Sequence, residues 1–282
     1  TVSAPASPVI STTGTLSVLT TTYGTASSET SFNVSGTNMT AGVLVTPPAG
    51  FEVSLTSGSG YATTVTVGAA GTIASTPVYV RLAATTAVGS YAGDVVLSSA
   101  GATSVNVATA SSTVSPVTLP VGGLTANNKT FDGTTTATLS GTASLIGLIP
   151  GDEPNVILGG TPVANFATSA IGTGIAVTVT GYTISGSASG NYTLVQPTGL
   201  TADILSMAAP SISSALTATA TYGVASSYTI TATETPDSYN ATGLPAGLTV
   251  NTVTGEISGT ATVVGTFNVT ISATNAGGTG NA

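Results

Sequence analysis

Apolar and polar positions alternate with a period of two along almost the whole chain. "ETSFNVSG" (29–36), "TTVTVGA" (63–69), "TPVYVRLA" (76–83) and "GDVVLSS" (93–99) show it in the first third. "IAVTVTGYTI" (175–184), "NYTLVQ" (191–196), "SYTITATE" (227–234) and "GTFNVTISAT" (265–274) carry it on to the end. Gly and Ser interrupt each run, and no window shows the i, i+3, i+4 stripe of an amphipathic helix. Short strands at this spacing predict antiparallel β-sandwiches. Two Pro-bearing connectors, "ASSTVSPVTLP" (110–120) and "TADILSMAAPSIS" (201–213), divide the pattern. The expected organisation is three domains, 1–115, 116–206 and 207–282, each within the usual size range. "TYGVASS" (221–227) echoes "TYGTASS" (22–28), so the first and third modules are expected to open alike. Placed end to end, three such sandwiches predict an elongated rod.

Composition narrows what such a chain can do. Of 282 residues 41% are hydrophobic and only 4% charged, with two basic residues against ten acidic ones. Soluble proteins carry about a quarter charged residues. No stretch approaches the roughly 18 uninterrupted apolar residues of a spanning helix. Aromatic residues, at 5%, are too few for the two girdles of a membrane barrel, so no membrane insertion is expected. Abundant Val, Ile and Thr argue against disorder. A net charge of −8, with Arg81 and Lys129 far apart, argues against nucleic-acid binding. "TVSAPASPVI" lacks the basic and apolar regions of a signal peptide, and "NAGGTGNA" reads as a linker. Both ends are therefore expected to be cuts in a longer polypeptide.

With no His and no Cys, the chain can hold no Ser-His-Asp triad, Cys-His pair or His/Cys zinc site of its own. The acid pairs Asp152–Glu153 and Glu234–Asp237 could serve glycoside hydrolysis only across a cleft. The first sits in the turn sequence "IPGDEPN", where Asp is an ordinary turn residue. For calcium, which wants six to eight oxygens, the candidates are Asp203, Glu234 and Asp237 as a low-affinity site, with solvated turn acids the favoured reading and no cofactor expected. Six Asn-X-Ser/Thr sequons, at Asn33, Asn38, Asn128, Asn191, Asn240 and Asn268, match the abundance of Thr and are set aside. Alternation puts Val78, Val80 and Leu82 on one face and Tyr79, Arg81 and Ala83 on the other. Arg81 is expected to pair with Glu52 or Asp94, the alternative being a solvated guanidinium.

The only lysine lies in "ANNKTFDGTTTATLSG" (126–141). An isopeptide bond from Lys129 would need a distant Asn such as Asn165 or Asn191, and general-base work would need a pocket. The favoured reading is a turn: Phe131 faces the core, Asp132-Gly133 reverses the chain, and Lys129 is a solvated neighbour of Asp132.

These stretches carry family resemblances. "KTFDGTTTATLSG", "GDEPNVILGG" and "GYTISGSASGNYTLVQPTGLTADI" resemble the YDG domain of large bacterial adhesins, with Phe131 in place of the usual Tyr. "GLPAGLTVNTVTGEISGTATVVGTFNVTISATNAGGTG" (243–280) resembles the Putative Ig domain of bacterial surface proteins. "FNVSGTNMTAGVLVTPPAGFEVS" and "TPVYVRLAATTAVGSYAGDVVLSSAGA" are similar to an Ig-like repeat of Bacteroidota secreted proteins. The combination resembles the giant repetitive adhesins of gliding Bacteroidota. That resemblance implies secretion, a place on the cell surface and a non-enzymatic role as filament or stalk, with surfaces or polysaccharide bound by weak multivalent contacts and neighbouring modules of the same chain as partners. The alternative is a carbohydrate-binding or spacer module of a secreted polysaccharide-degrading enzyme. That reading needs an exposed aromatic platform, whereas Tyr23, Tyr79, Tyr182, Tyr192 and Tyr222 read as core or corner residues. Ice or mineral adhesion by a flat Thr array is a third, less favoured reading, because strands favour Thr in any case.

Overall fold

A computed structural model describes residues 6–282 and contains β-strands with two single-turn 3-10 helices, Glu153–Asn155 and Ser189–Asn191. The described residues contain no α-helix, and no helix is long and apolar enough to cross a membrane. The chain divides into two compact units. One comprises Thr1–Gly123, Thr142–Pro162 and Thr180–Pro197, the other Leu124–Gly141, Val163–Val179 and Thr198–Ala282. Residues of the middle segment thus contribute to both.

In the first unit, one sheet runs Val9–Thr13, Thr30–Met39, Gly71–Leu82, Phe51–Ser54, and a second runs Val105–Ala108, Asp94–Ser98, Val43–Thr46, Val65–Val67. Alternate residues point inward. Phe32 and Val34, Val78, Val80 and Leu82, Val43 and Val45, Val95 and Leu97 are all buried in one cluster. Each such side chain contributes roughly 1.5–3 kcal/mol when taken out of water, so the period-2 pattern alone selects the register of these strands. The buried side of Gly71–Leu82 is the Val78, Val80, Leu82 face, and Tyr79 and Arg81 lie on the other, half-buried side.

The ladders are not all antiparallel, contrary to the simplest reading of the sequence. The opening segment crosses between sheets. Val9–Thr13 pairs antiparallel with Thr30–Met39, and then Thr20–Thr22 lies parallel to Ser112–Ser115. On its other side Ser112–Ser115 pairs antiparallel with Gly89–Tyr91. A second parallel ladder joins Val117–Ala126 to Tyr192–Val195, Val117 opposite Tyr192. In the first module the segment that leaves one sheet for the other meets the closing strand running the same way. Hydrophobic alternation is blind to that crossing, because it fixes a face and not a neighbour.

In the second unit Lys129–Thr130 lies parallel to Leu200–Leu205, which pairs antiparallel with Gly172–Ser185. Phe166, Val177, Val179, Ala202 and Ile204 are buried there. The C-terminal part of this unit has two three-stranded sheets. One is Ala225–Thr229, Glu256–Thr260, Leu248–Val250, and the other is Ser238–Thr242, Thr270–Asn275, Gly278–Asn281. Its core is small: Ile230, Ile257 and Ile271 are buried, with Ile212, Tyr228, Tyr239, Leu244 and Leu248 packed against them. The alternating stretch 266–269, expected as strand, has no ladder partner and is irregular.

Candidate functional site

Three local clusters of titratable side chains stand out, each built by a different part of the fold. The first centres on Asp152. Its turn, closed by Asp152 N–H donating to Ile149 O at 3.0 Å, presents the carboxylate to two tyrosines. Tyr192 donates its hydroxyl to Asp152 Oδ2 at 2.7 Å and Tyr23 at 3.0 Å. The two rings meet edge to face, centroids 5.8 Å apart at 79°, a favoured aromatic geometry. Ile149 N–H donates to the Tyr192 hydroxyl at 3.1 Å, and Leu119, Val156 and Leu148 pack around it. Burial, reinforced by Asp152, raises Tyr23 above the ordinary tyrosine pKa and pushes Tyr192 up to about 12. Nearby, Val88 N–H donates to Asn191 Oδ1 at 2.9 Å. Asp152 and Glu153 therefore do not act as a pair: Glu153 turns back to accept from Gly151 N–H at 2.8 Å. No local pattern announces the Asp152 cluster, because Tyr23 and Tyr192 stand 129 and 40 residues away in sequence.

The second cluster is the "TFDG" turn. Lys129 Nζ donates to Asp132 Oδ1 at 2.7 Å, Thr134 O at 2.7 Å and Thr134 Oγ1 at 3.0 Å. Asp132 Oδ1 also accepts from Thr134 N–H and Thr134 Oγ1, both at 2.8 Å. These bonds, that from Lys129 foremost, hold Asp132 down at about 2. The lysine is not the solvated neighbour its sequence suggests. Its side chain is 16% exposed and its ammonium lies 5.6 Å from the centre of the Phe166 ring, which shields it from water. Gly133 takes φ of 75°, the left-handed conformation an Asp-Gly turn requires, and Phe131 is half-buried. All three ammonium donors are spent, none on an asparagine. Of the two isopeptide candidates, Asn165 forms a backbone bridge with Thr136 and Asn191 serves Val88.

The third cluster lies on the outer side of the first module. Arg81 Nε donates to Glu52 Oε1 at 2.6 Å, the two facing each other across neighbouring strands. The guanidinium carbon sits 3.7 Å from the centre of the Tyr61 ring, whose hydroxyl donates to Glu29. Ser57 Oγ and Gly58 N–H also donate to Glu29 and, with Tyr61, hold it below the ordinary carboxylate range. Burial foremost, with Glu29 adding to it, raises the Tyr61 hydroxyl far above its usual value. Asp94, the other candidate partner of Arg81, accepts from Asn106 Nδ2 at 2.8 Å instead.

The calcium candidates do not converge. Asp203 Oδ1 accepts from Gly174 N–H at 2.8 Å and Oδ2 from Asn128 Nδ2 at 3.4 Å. Glu234 sits in a turn at φ of 60°, and Asp237 anchors the chain through its backbone N–H to Thr274 O. No group of three or more Asp or Glu poised for a metal occurs among the described residues. Of the nine tyrosines only Tyr222 is exposed, at 64%, which corrects its expected place in a core or corner. Tyr222 instead borders an open groove of about 770 Å3 in the C-terminal part of the second unit, lined by Leu216, Tyr228, Leu244, Val264 and Phe267 among others.

Two family models match the chain. The YDG domain model matches residues 115–199, and the Putative Ig domain model matches residues 209–282. The two matches follow one another along the chain and support Ig-like domains there. No curated protein matches it. Among solved structures it is similar to the crystal structure of the I9-I11 tandem from titin, at 13% identity over 96% of this chain and 97% of that one. The TM-score of that superposition is 0.24.

Proposed function

We propose that the chain is a segment of a secreted cell-surface adhesin, a filament or stalk that spaces and adheres without catalysis, of the kind used in gliding or biofilm formation by Bacteroidota. The observation that carries this reading is the succession of a YDG segment and a Putative Ig segment along one chain. The chemistry of the clusters supports it. Asp152, Asp132, Glu52, Glu29 and Asp203 each accept hydrogen bonds from the protein's own groups, so their carboxylates brace turns and strands rather than face a cleft. What remains on the surface is mostly Thr, Ser, Gly and Ala, which make many small contacts at little side-chain entropy cost. Such contacts gain strength from repetition, by about 10²–10⁴-fold when linked modules bind together.

The sugar-binding alternative is less favoured because the exposed aromatics are only two, Tyr222 and Phe267, both beside one groove, and the other tyrosines are buried or half-buried. The test is adhesion under flow of beads carrying the chain at graded density to glass and to polysaccharide films. Retention rising steeply with density, with no measurable capture of the single chain, is expected. Tight binding of one soluble chain to an oligosaccharide, or release of sugar from the film, would sink the proposal.

A further inference from the structure

Of the 35 glycines only Gly133 follows an Asp or an Asn. At an Asp-Gly link the backbone nitrogen reaches its neighbour's side-chain carboxyl with little hindrance, because glycine carries no β-carbon to stand in the way. The link is open to water. The Asp132 side chain is 53% exposed, and no atom lies within 4 Å of the place a β-carbon on Gly133 would take. Its ends are fixed, by Phe131 N–H donating to Leu205 O at 2.8 Å and Phe166 N–H donating to Thr135 O at 2.7 Å.

We propose that Asp132-Gly133 is a site of spontaneous modification, isomerising to isoaspartate without an enzyme, and that Lys129 is the positioning residue that holds the reaction off. Gly133 N bonds to Asp132 Cγ, and its proton leaves with the carboxyl hydroxyl as water, closing a five-membered succinimide. Water then adds to one of the two ring carbonyls. Opening at the Asp132 backbone carbonyl carries the main chain through the side chain and leaves a free α-carboxylate. The sequence of steps needs no oxidant or cofactor and restores the original mass. The product lengthens the turn by a backbone carbon while Leu205 and Phe166 hold its ends, so it strains the parallel ladder of Lys129–Thr130 with Leu200–Leu205.

Two features of the turn oppose ring closure. The first is position. Lys129 Nζ, Thr134 N–H and Thr134 Oγ1 all donate to Asp132 Oδ1, so the carboxyl turns toward Gly133 N only by breaking them. The second is charge, because the attacked carbon is a far better electrophile in the neutral acid than in the carboxylate. Asp237, which borders the same small cleft of about 210 Å3, is a like charge and favours the neutral acid. Asp203 is turned to Gly174 and Asn128. The ionised state therefore rests on Lys129, the cation beside Asp132, with the Thr134 donors adding to it. A carboxyl at about 2 rather than 3.8 makes the neutral acid about 60 times scarcer near neutral pH. Exposure of the turn brings that factor down to about tenfold.

The test ages the full chain in warm, near-neutral buffer and counts isoaspartate at residue 132 by enzymatic methylation and peptide mapping. It compares the parent, Lys129→Met and Lys129→Arg, each checked first by a melting curve. About tenfold faster accumulation is expected in Lys129→Met, with Lys129→Arg, which keeps the charge, near the parent. All three are expected to age alike in urea, where the turn is gone, and faster there than the folded parent. If Lys129→Met does not fold, Thr134→Val takes its place. That change strips one donor from Oδ1 and leaves the lysine, and about threefold faster accumulation is expected, the worth of one neutral hydrogen bond. Equal rates in the folded parent and the substituted chain, or a folded parent as fast as the chain in urea, would overturn the inference. So would equal acceleration by Lys129→Met and Lys129→Arg, which would mean loosened packing under Phe166 rather than lost charge. The readout is a chemical one and does not depend on adhesion.

Discussion

Replacing Asp152 by Ala withdraws the acceptor of two phenol hydroxyls at once. Hydrogen bonds to a charged group are worth about 1.5–3 kcal/mol each, and a buried donor left unpaired costs about 1–3 kcal/mol. Tyr192 is buried and keeps only its contact from Ile149, so its hydroxyl bears most of that loss. Tyr23 is half-buried and regains water, so its share is discounted. The sum is about 2–4 kcal/mol, which lowers the melting temperature by about 5–12 °C for a unit of this size. Asp152→Asn keeps an acceptor oxygen and is expected to cost about 1 kcal/mol. A double-mutant cycle with Tyr23→Phe and Tyr192→Phe, followed by calorimetry, gives the mechanism: each Phe substitution should cost clearly less in the Asp152→Ala background. Alkali adds a second readout. Tyr192 is raised to about 12 from an ordinary 10, so its stabilising contribution is complete below pH 10 and is lost between pH 10 and 12, as the unfolded chain ionises first. A melting temperature within 1 °C of the parent, or Phe substitutions whose costs are unchanged without Asp152, would refute the reasoning.

Arg81→Met removes both the ion pair with Glu52 and the stacking on Tyr61 and should destabilise the first unit by about 1–2 kcal/mol in urea unfolding, less at high salt. Gly133→Ala places a β-carbon at φ of 75° with no atom within 4 Å of it, so its cost is backbone strain alone, about 1–2 kcal/mol. On acidification, Asp132 at about 2 and the lowered Glu29 contribute stability that is present above pH 4 and lost as the pH falls toward 2. Lys129→Met should flatten the Asp132 part of that decline, read as melting temperature against pH.

Where function of position is set by nearest neighbours, the sequence was a sufficient guide. The Val78, Val80, Leu82 face needs only alternation to declare itself, and the Asp132-Gly133 turn needs only its two residues. Where position is set by what comes to lie on top, it was not. Tyr23 and Tyr222 sit in the same local words, yet one donates to Asp152 beside a closing strand and the other stands in solvent. Lys129 looks solvated because its cover, Phe166, arrives from a strand 37 residues on. The Asp152 cluster is illegible for the same reason: a carboxylate in a turn reads identically whether its acceptor sites meet water or a phenol.

The parallel ladder of Thr20–Thr22 with Ser112–Ser115 joins the opening and closing strands of the first module. Tension drawn through the polypeptide pulls these two strands in opposite directions along their own length. Their rungs are then loaded together, in shear, and none can be peeled off before the next. A hairpin pulled from its open end has no such protection and unzips rung by rung.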